Sequence, residues 1–380
     1  MGLPSGGESV GVARTQAQLY PQVDHALSWS EAELPERERT KHVHRLHPYL
    51  GKFVPQLVEA LLERYVSPGG RVLDPFGGSG TTLVQALESG YDAVAVDVAA
   101  FNALLMRVKT ADYDLGALEQ EVLEARSHLG RSRAKPRGYM ANWYAPGAAA
   151  ELLHFRAHLP RYTHADVMRV VLARAARSAR RTTHFDLDFP REPQLEDYWC
   201  HKHRRTCRPV EGAARFLSRY LLDTLARLEA FAKVRDRRRA AVVLHGDARE
   251  LELGGPYDGV VTSPPYPGLI DYHEQHRYAY ELLGLDDLRE REVGAAARGT
   301  SRAAIEEYTA GIATVLRRVA ESLRPGAPVC IVVNDRRVLY PEILRRAGLE
   351  LSDRLERHVN RRTGRRAGEY FESILIATHR

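Results

Sequence analysis

The chain has 380 residues and a formal net charge of +6, enough length for one α/β core and one further subdomain. Three cysteines, Cys200, Cys207 and Cys330, are too few for a secreted disulfide framework and suit a reducing compartment. The opening MGLPSGGESVGVARTQ lacks the apolar stretch of a secretion signal and no run nears the ~18 apolar residues of a spanning helix, so a cytoplasmic protein with no membrane partner is expected.

Residues 1–40 mix Gly, Ser, Glu and Arg without sustained periodicity and read as a loosely ordered arm. From Pro55 the apolar positions Leu57, Val58, Leu61, Leu62 and Tyr65 recur at helical spacing and stop at the turn Ser67-Pro68-Gly69-Gly70. RVLD at 71–74 runs into PFGGSGTT and the apolar segment LVQAL, and DAVAVD at 92–97 follows, which makes a strand, helix and strand of a parallel sheet.

Residues 112–240 are mostly helical in pattern around an irregular centre at 182–209. Within them, residues 161–240 hold 19 Arg and Lys against 10 Asp and Glu, an excess of +9 that marks the best candidate for a polyanion contact. Only 6 of the 55 basic residues are Lys, so a solvated helix surface in an arginine-preferring chain reads the same way.

Strands are expected at AVVLHGD (241–247) and YDGVVTSPPY (257–266), then a long helix around 303–322, a turn at Arg324-Pro325-Gly326 and the strand APVCIVVND (327–335). LELSDRLERHV and ESILIATHR alternate well enough to pair as a terminal antiparallel hairpin around the basic loop NRRTGRR. No internal repeat is visible.

Several strand ends carry polar residues, and carboxyl ends of parallel strands form the ligand edge of such sheets. In DPFGGSGTT, Asp74 closes a buried strand, the glycines allow close backbone approach, and the next helix N-terminus offers N–H groups to a carboxylate or phosphate. A nucleotide site or a tight turn would look alike, though no GxxxxGK[ST] is present. Asp97 can accept from ribose hydroxyls or cap a helix, and Asp247 in HGDARE can accept from an adenine amino group while backbone amides nearby address the ring.

In TSPPY, two prolines hold the backbone extended and remove two N–H donors, which leaves carbonyls free. Ser263 and the Pro264 carbonyl can accept from an aromatic amine, and Tyr266 can stack on its ring; a rigid turn beside an edge strand is the plainer reading. DPFGGSGTT together with TSPPY resembles the amino-methyltransferases of DNA, which act on cytosine N4 or adenine N6. HPYLGKFVPQLVEALL at 47–62 is similar to the family segment that closes over the cofactor methionine, so the resemblance covers residues 42–110 and 241–380.

The resemblance implies S-adenosylmethionine as cofactor, with Lys52, Phe53, Phe76, Gly78, Gly80 and Thr81 around its methionine portion beside Asp74, Asp97 on the ribose, and Asp247 with Ala248 at the adenine. Ser263, Pro264, Pro265 and Tyr266 would bind and activate the target base, and serine before PPY favours cytosine N4. C5 methylation would need a cysteine nucleophile, and Cys330 sits within an apolar strand without the Pro-Cys pair of that chemistry. Asp271 and Tyr272 either shape the base pocket or start the next helix. Arg204, Arg205 and Arg208 are candidate DNA contacts, with residues 285–301 and the loop residues Arg361, Arg362, Arg365 and Arg366 as rivals.

The run Cys200-His201-Lys202-His203-Arg204-Arg205-Thr206-Cys207 carries zinc-type ligands, but only one compact group is visible where a structural site needs four donors, so a metal-free basic loop is expected. The overall expectation is a Rossmann-like methyltransferase fold: a mostly parallel seven-stranded sheet with a C-terminal antiparallel hairpin, built from 41–111 and 241–380, plus the helical insert 112–240 as target-recognition region. The partner would be double-stranded DNA in a prokaryotic cytoplasm at the nucleoid, with a cognate restriction endonuclease as a further candidate. An RNA amino-methyltransferase and a DNA-binding protein without catalysis are the rival readings.

Overall fold

The protein is described here by a computed structural model over residues 22–51, 54–359 and 370–379. Lys52, Phe53, Arg361, Arg362, Arg365 and Arg366 lie outside the described residues.

Helix α1 (Pro55–Tyr65) opens on a proline, whose missing N–H costs nothing in the first turn, and buries Leu57, Val58, Leu61 and Leu62. Strand β1 (Arg71–Asp74), helix α2 (Thr81–Glu88) and strand β2 (Asp92–Asp97) form the first parallel unit, followed by α3 (Ala100–Thr110). The insert adds α4 (Leu115–Ser127), α5 (Gly138–Trp143), α6 (Pro146–His158), α7 (Ala165–Ala179), a hairpin of β3 (Tyr198–Cys200) and β4 (Arg205–Cys207), and α8 (Ala214–Ala232). The core resumes with β5 (Ala241–His245), β6 (Gly259–Thr262), α9 (Tyr272–Gln275), α10 (Arg277–Leu283), α11 (Arg302–Glu321), β7 (Pro328–Val333), α12 (Tyr340–Ala347), β8 (Leu349–His358) and β9 (Phe371–His379).

The seven-stranded sheet runs β5-β2-β1-β6-β7-β9-β8. The first five strands are parallel, and β9 inserts antiparallel between β7 and β8, as the terminal hairpin reading requires. The chain winds outward from β1 to β5 and then returns to place β6 against the other side of β1, so the topological switch falls between β1 and β6. Ligand crevices open at that point because the crossovers leave in opposite directions.

Both sheet faces are covered, which is why the parallel strands are apolar throughout. On one face Leu61, Leu83 and Met106 pack on Val72, Ala93, Val261 and Val332. On the other, Ile312, Leu316 and Ile343 pack on Leu73, Val94, Val260 and Ile331. The insert has no separate core: Leu152, Val171 and Leu221 join Phe101, Leu104 and Leu105 of α3 in one cluster, so the insert extends the domain laterally.

One expectation is corrected. Residues 22–40, read as part of a loose arm, include Leu27 with no exposure and Ser28 and Leu34 nearly buried. The Asp24 amide donates to the Glu356 carbonyl at 2.7 Å and the His358 amide donates to Ser28 Oγ at 3.1 Å, so this stretch covers the β8 edge of the sheet. An uncovered edge would expose unpaired backbone groups. Among the described residues no helix is long and apolar enough to cross a membrane.

Candidate active site

The carboxyl ends of β1, β2, β5 and β6 open into a cleft lined by Asp74, Phe76, Thr81, Asp97, Asp247, Ala248, Ser263, Pro265 and Tyr272 among others. Nine residues singled out from the sequence thus meet in one place, while Gly78, Gly80, Pro264, Tyr266 and Asp271 are not part of its lining.

Gly80 caps α2 at φ +77, and a Cβ there would stand 2.9 Å from Met106. Gly78 has φ +50, and a Cβ would stand 2.8 Å from the Tyr49 hydroxyl. Buried Lys109 donates to the Ser79 carbonyl at 2.6 Å and holds this turn over the α2 N-terminus.

The Gly78 amide donates to Asp97 Oδ2 at 2.7 Å, the Ala99 amide to Oδ1 at 2.8 Å, and the Asn102 amide lies 3.2 Å from both oxygens. Asp97 lines the cleft, and its bond to the Ala99 amide falls just before α3, whose N-cap is Ala99 itself. Burial pushes its carboxyl up to about 7 against the opposing pull of the two amides. Asp247 lines the cleft with both oxygens already bound to the Arg249 guanidinium, at 2.9 and 3.0 Å from Nε and 2.6 Å from a terminal nitrogen. An adenine amino group would share that carboxylate with Arg249 rather than find it free.

At the switch point, Asp74 Oδ1 accepts from the Thr262 hydroxyl at 2.7 Å and the Phe76 amide at 3.1 Å, tying the two motif strands together. One residue on, Ser263 Oγ donates to the Val332 carbonyl of β7 at 3.0 Å. Its proton is committed to β7, and the oxygen lone pairs remain to accept from a ligand. The Pro265 carbonyl takes the Tyr308 hydroxyl at 3.0 Å, which fixes the extended proline pair. Tyr266 donates to Glu372 at 3.3 Å, and burial beside that carboxylate pushes its phenol well up, so it stays neutral.

Asp271 caps α9 by accepting from the Glu274 amide at 2.8 Å; it is the helix start that its sequence also allowed. Tyr272 stacks on Tyr49 with ring centroids 5.1 Å apart and forms a cleft wall. Tyr49, Arg291, Glu292 and Val293 line the cleft without having been singled out. Residues 291–293 belong to the stretch read as a rival DNA contact, and Glu292, 5% exposed, instead holds the Tyr272 amide at 2.9 Å and the His273 imidazole at 2.7 Å. A lone acidic residue in a loop carries no local signal for that role.

Arg204, Arg205 and Arg208 are exposed on and just beyond the β3–β4 hairpin, with Arg208 3.2 Å from the half-exposed Asp197. The Cys200–Cys207 group gains a fourth donor, His184, from outside the run. Cys330 is fully buried in β7 and burial pushes its thiol up to about 12, so it is neither reachable nor ionised.

A sheet in this order, with a cleft at its switch point, defines a Rossmann-like methyltransferase fold. The family described as DNA methylase matches residues 15–102. Type II methyltransferase M.MjaII of Methanocaldococcus jannaschii is 35% identical over 440 residues, spanning 92% of this chain and 83% of that protein. Type II methyltransferase M.MvaI of Kocuria varians is 32% identical over 82 residues, 21% of this chain and 18% of that one. A solved TehB-like SAM-dependent methyltransferase from Corynebacterium glutamicum aligns with a TM-score of 0.33 and 10% identity over 86% of each chain. The chain belongs to the DNA amino-methyltransferase family, and its cofactor is S-adenosylmethionine. The cleft fits that molecule: the α2 N-terminus suits a carboxylate, Asp97 suits a ribose diol, and Phe76, Val96, Val98 and Val293 supply apolar wall.

Proposed function

We propose that the protein methylates the exocyclic N4 of cytosine in double-stranded DNA, taking the base flipped out of the helix. The observation that carries this reading is the Ser263 hydroxyl, which lines the cleft together with Asp74 and gives its proton to the Val332 carbonyl, so that its oxygen is left to accept. When bound, S-adenosylmethionine supplies an electrophilic methyl group. Ser263 Oγ and the Pro264 carbonyl accept from the amino group and draw its lone pair out of ring conjugation. Tyr266, held by Glu372, is the aromatic partner of the base. Thr81 with Phe76, Gly78 and Gly80 frame the methionine portion, Asp97 the ribose, and Ala248 with Asp247 the adenine. Catalysis in this scheme is positioning and electrostatics, with no covalent enzyme intermediate. The serine of TSPPY supports cytosine over adenine through the resemblance that the motif carries.

The insert 112–240 is the target-recognition region of the same proposal. Its hairpin arginines Arg204, Arg205 and Arg208 meet phosphates or guanine edges, and flipping gives the buried amino group access to the cleft. The relatives' type II designation supports a setting in restriction-modification, with a cognate endonuclease as partner in the cytoplasm.

The test is incubation with labelled S-adenosylmethionine and mixed-sequence duplex DNA, followed by nucleoside mass spectrometry with a Ser263→Ala control. N4-methylcytosine that disappears in the control is the expected result. N6-methyladenine would overturn the choice of base, and label entering RNA alone would overturn the choice of polymer.

A further inference from the structure

The irregular centre of the insert has almost no apolar interior. Between residues 183 and 212 the only buried side chains are Cys200 and Cys207, whereas Phe185, Leu195 and Trp199 are 62%, 64% and 58% exposed. A hairpin of two three-residue strands is marginal by itself, and a segment this short of apolar burial needs a staple.

Two thiols and two imidazoles meet at this hairpin, Cys200 and Cys207 from its strands, His203 from its turn and His184 from the preceding segment. His203 Nδ1 lies 3.6 Å from Cys200 Sγ and 3.5 Å from Cys207 Sγ, His184 Nδ1 lies 3.5 Å from Cys200 Sγ, and the ligand atoms of all four residues lie within 4.8 Å of one another. A ring nitrogen has one proton or one lone pair, so a hydrogen bond accounts for one of His203's two sulfur contacts and not both. Tetrahedral zinc, with Zn–S near 2.3 Å and Zn–N near 2.05 Å, sets sulfur and nitrogen about 3.5 Å apart. All three observed separations match that spacing.

We propose that His184, Cys200, His203 and Cys207 form a structural zinc site that clamps the hairpin onto the insert. Both thiols lose their protons to solvent as Zn²⁺ binds and both imidazoles enter neutral, so two thiolates balance the metal charge. The Tyr198 hydroxyl, 2.8 Å from His184 Nδ1, gives up that contact and keeps the His184 amide at 3.2 Å. Four protein ligands leave no open position, which makes the role structural. Outside the clamp, Arg204 at φ +49, Arg205 and Trp199 face solvent. Two other donor groups, His42 with His44 and Glu88, and Asp271 with His273 and Glu292, offer three ligands each, and their carboxylates are engaged by Lys41 and the Tyr272 amide.

The full chain, purified without chelator under reducing conditions, should carry about one zinc per molecule by elemental analysis. Metal-stripped protein titrated with Co²⁺ should give the intense visible bands and sulfur charge-transfer absorption of a tetrahedral thiolate site. Cys207→Ser should abolish these bands, and His184→Ala should weaken Co²⁺ binding by ~10-fold or more while S-adenosylmethionine still binds. Zinc-free protein whose Co²⁺ complex lacks tetrahedral character would overturn the proposal, as would a His184→Ala variant that binds Co²⁺ undiminished. If Cys207→Ser does not fold, the wild-type titration and His184→Ala decide the matter.

Discussion

Ser263 donates its hydroxyl proton to the Val332 carbonyl at 3.0 Å, and that bond across β6 and β7 sets which way its lone pairs face. Ser263→Ala removes an acceptor from the proposed amino-group site and one strand-to-strand hydrogen bond. A half-buried hydrogen bond contributes about 1 kcal/mol, so the melting temperature should change little, while kcat should fall ~10- to 100-fold. Cofactor affinity by calorimetry should stay near wild type. A variant with unchanged kcat would remove Ser263 from the chemistry.

Gly78 is left-handed at φ +50 beside the Tyr49 hydroxyl. Gly78→Ala should cost about 1–2 kcal/mol in backbone strain alone and weaken S-adenosylmethionine binding, because the turn it distorts carries the amide held by Asp97. Adding Tyr49→Phe removes the oxygen 2.8 Å from the new Cβ, so the double variant should recover part of the affinity but not the strain. Equal affinities in the single and double variants would show that contact to be irrelevant.

Asp97 sets a pH dependence whose sign differs from that of most carboxylates. Burial pushes its folded value to about 7, while in the unfolded chain it titrates near its ordinary value of roughly 4. Between those values the folded protein keeps a proton that the unfolded chain has lost, so stability falls as pH rises and levels off above the folded value. Buried His47, and His276 pushed by burial down to about 3, act oppositely by losing stability below their ordinary range. Comparison with Asp97→Asn cancels them: in cofactor-free protein, wild-type stability relative to the variant should drop by a few kcal/mol between pH 5 and 8, because each tenfold difference in proton affinity is worth on the order of 1.4 kcal/mol. Cofactor affinity should move the other way, rising through pH 7 in wild type and staying flat in the variant. Parallel curves for the two proteins would refute the assignment.

The exposed pair Arg204 and Arg205 gives a salt-dependence prediction. Arg204→Ala with Arg205→Ala should weaken duplex binding and lower the slope of log affinity against log salt by about 0.9 for each phosphate no longer neutralised. Fluorescence anisotropy across a salt series measures both. A weaker complex with an unchanged slope would mean base contacts, and no change in either would take DNA contact away from these two arginines.

Much of this architecture was legible in the chain itself. RVLD, DAVAVD and AVVLHGD became β1, β2 and β5, and the helix expected around 303–322 became Arg302–Glu321, because short apolar runs ended by glycine or proline carry local information. Asp74, Asp97 and Ser263 were readable as strand-end polar residues for the same reason. Glu292 was not readable, since its partners Tyr272 and His273 are reached only when the loop folds back. Nor was the docking of residues 22–29, whose apolar positions are too few for a periodic signal.

The sequence by itself determined that a parallel α/β sheet exists, that acidic and polar residues end its strands, and that TSPPY leaves acceptors rather than donors, because these depend on neighbours in the chain. Only the tertiary structure decided what those ends meet. Asp74 and Thr262 are 188 positions apart and bonded at 2.7 Å because the returning chain inserts β6 beside β1, a choice of strand order that no local pattern encodes. His184 reaches Cys200, 16 positions further on across a mostly irregular stretch, for the same physical reason: where backbone periodicity stops, contact is set by packing and not by spacing.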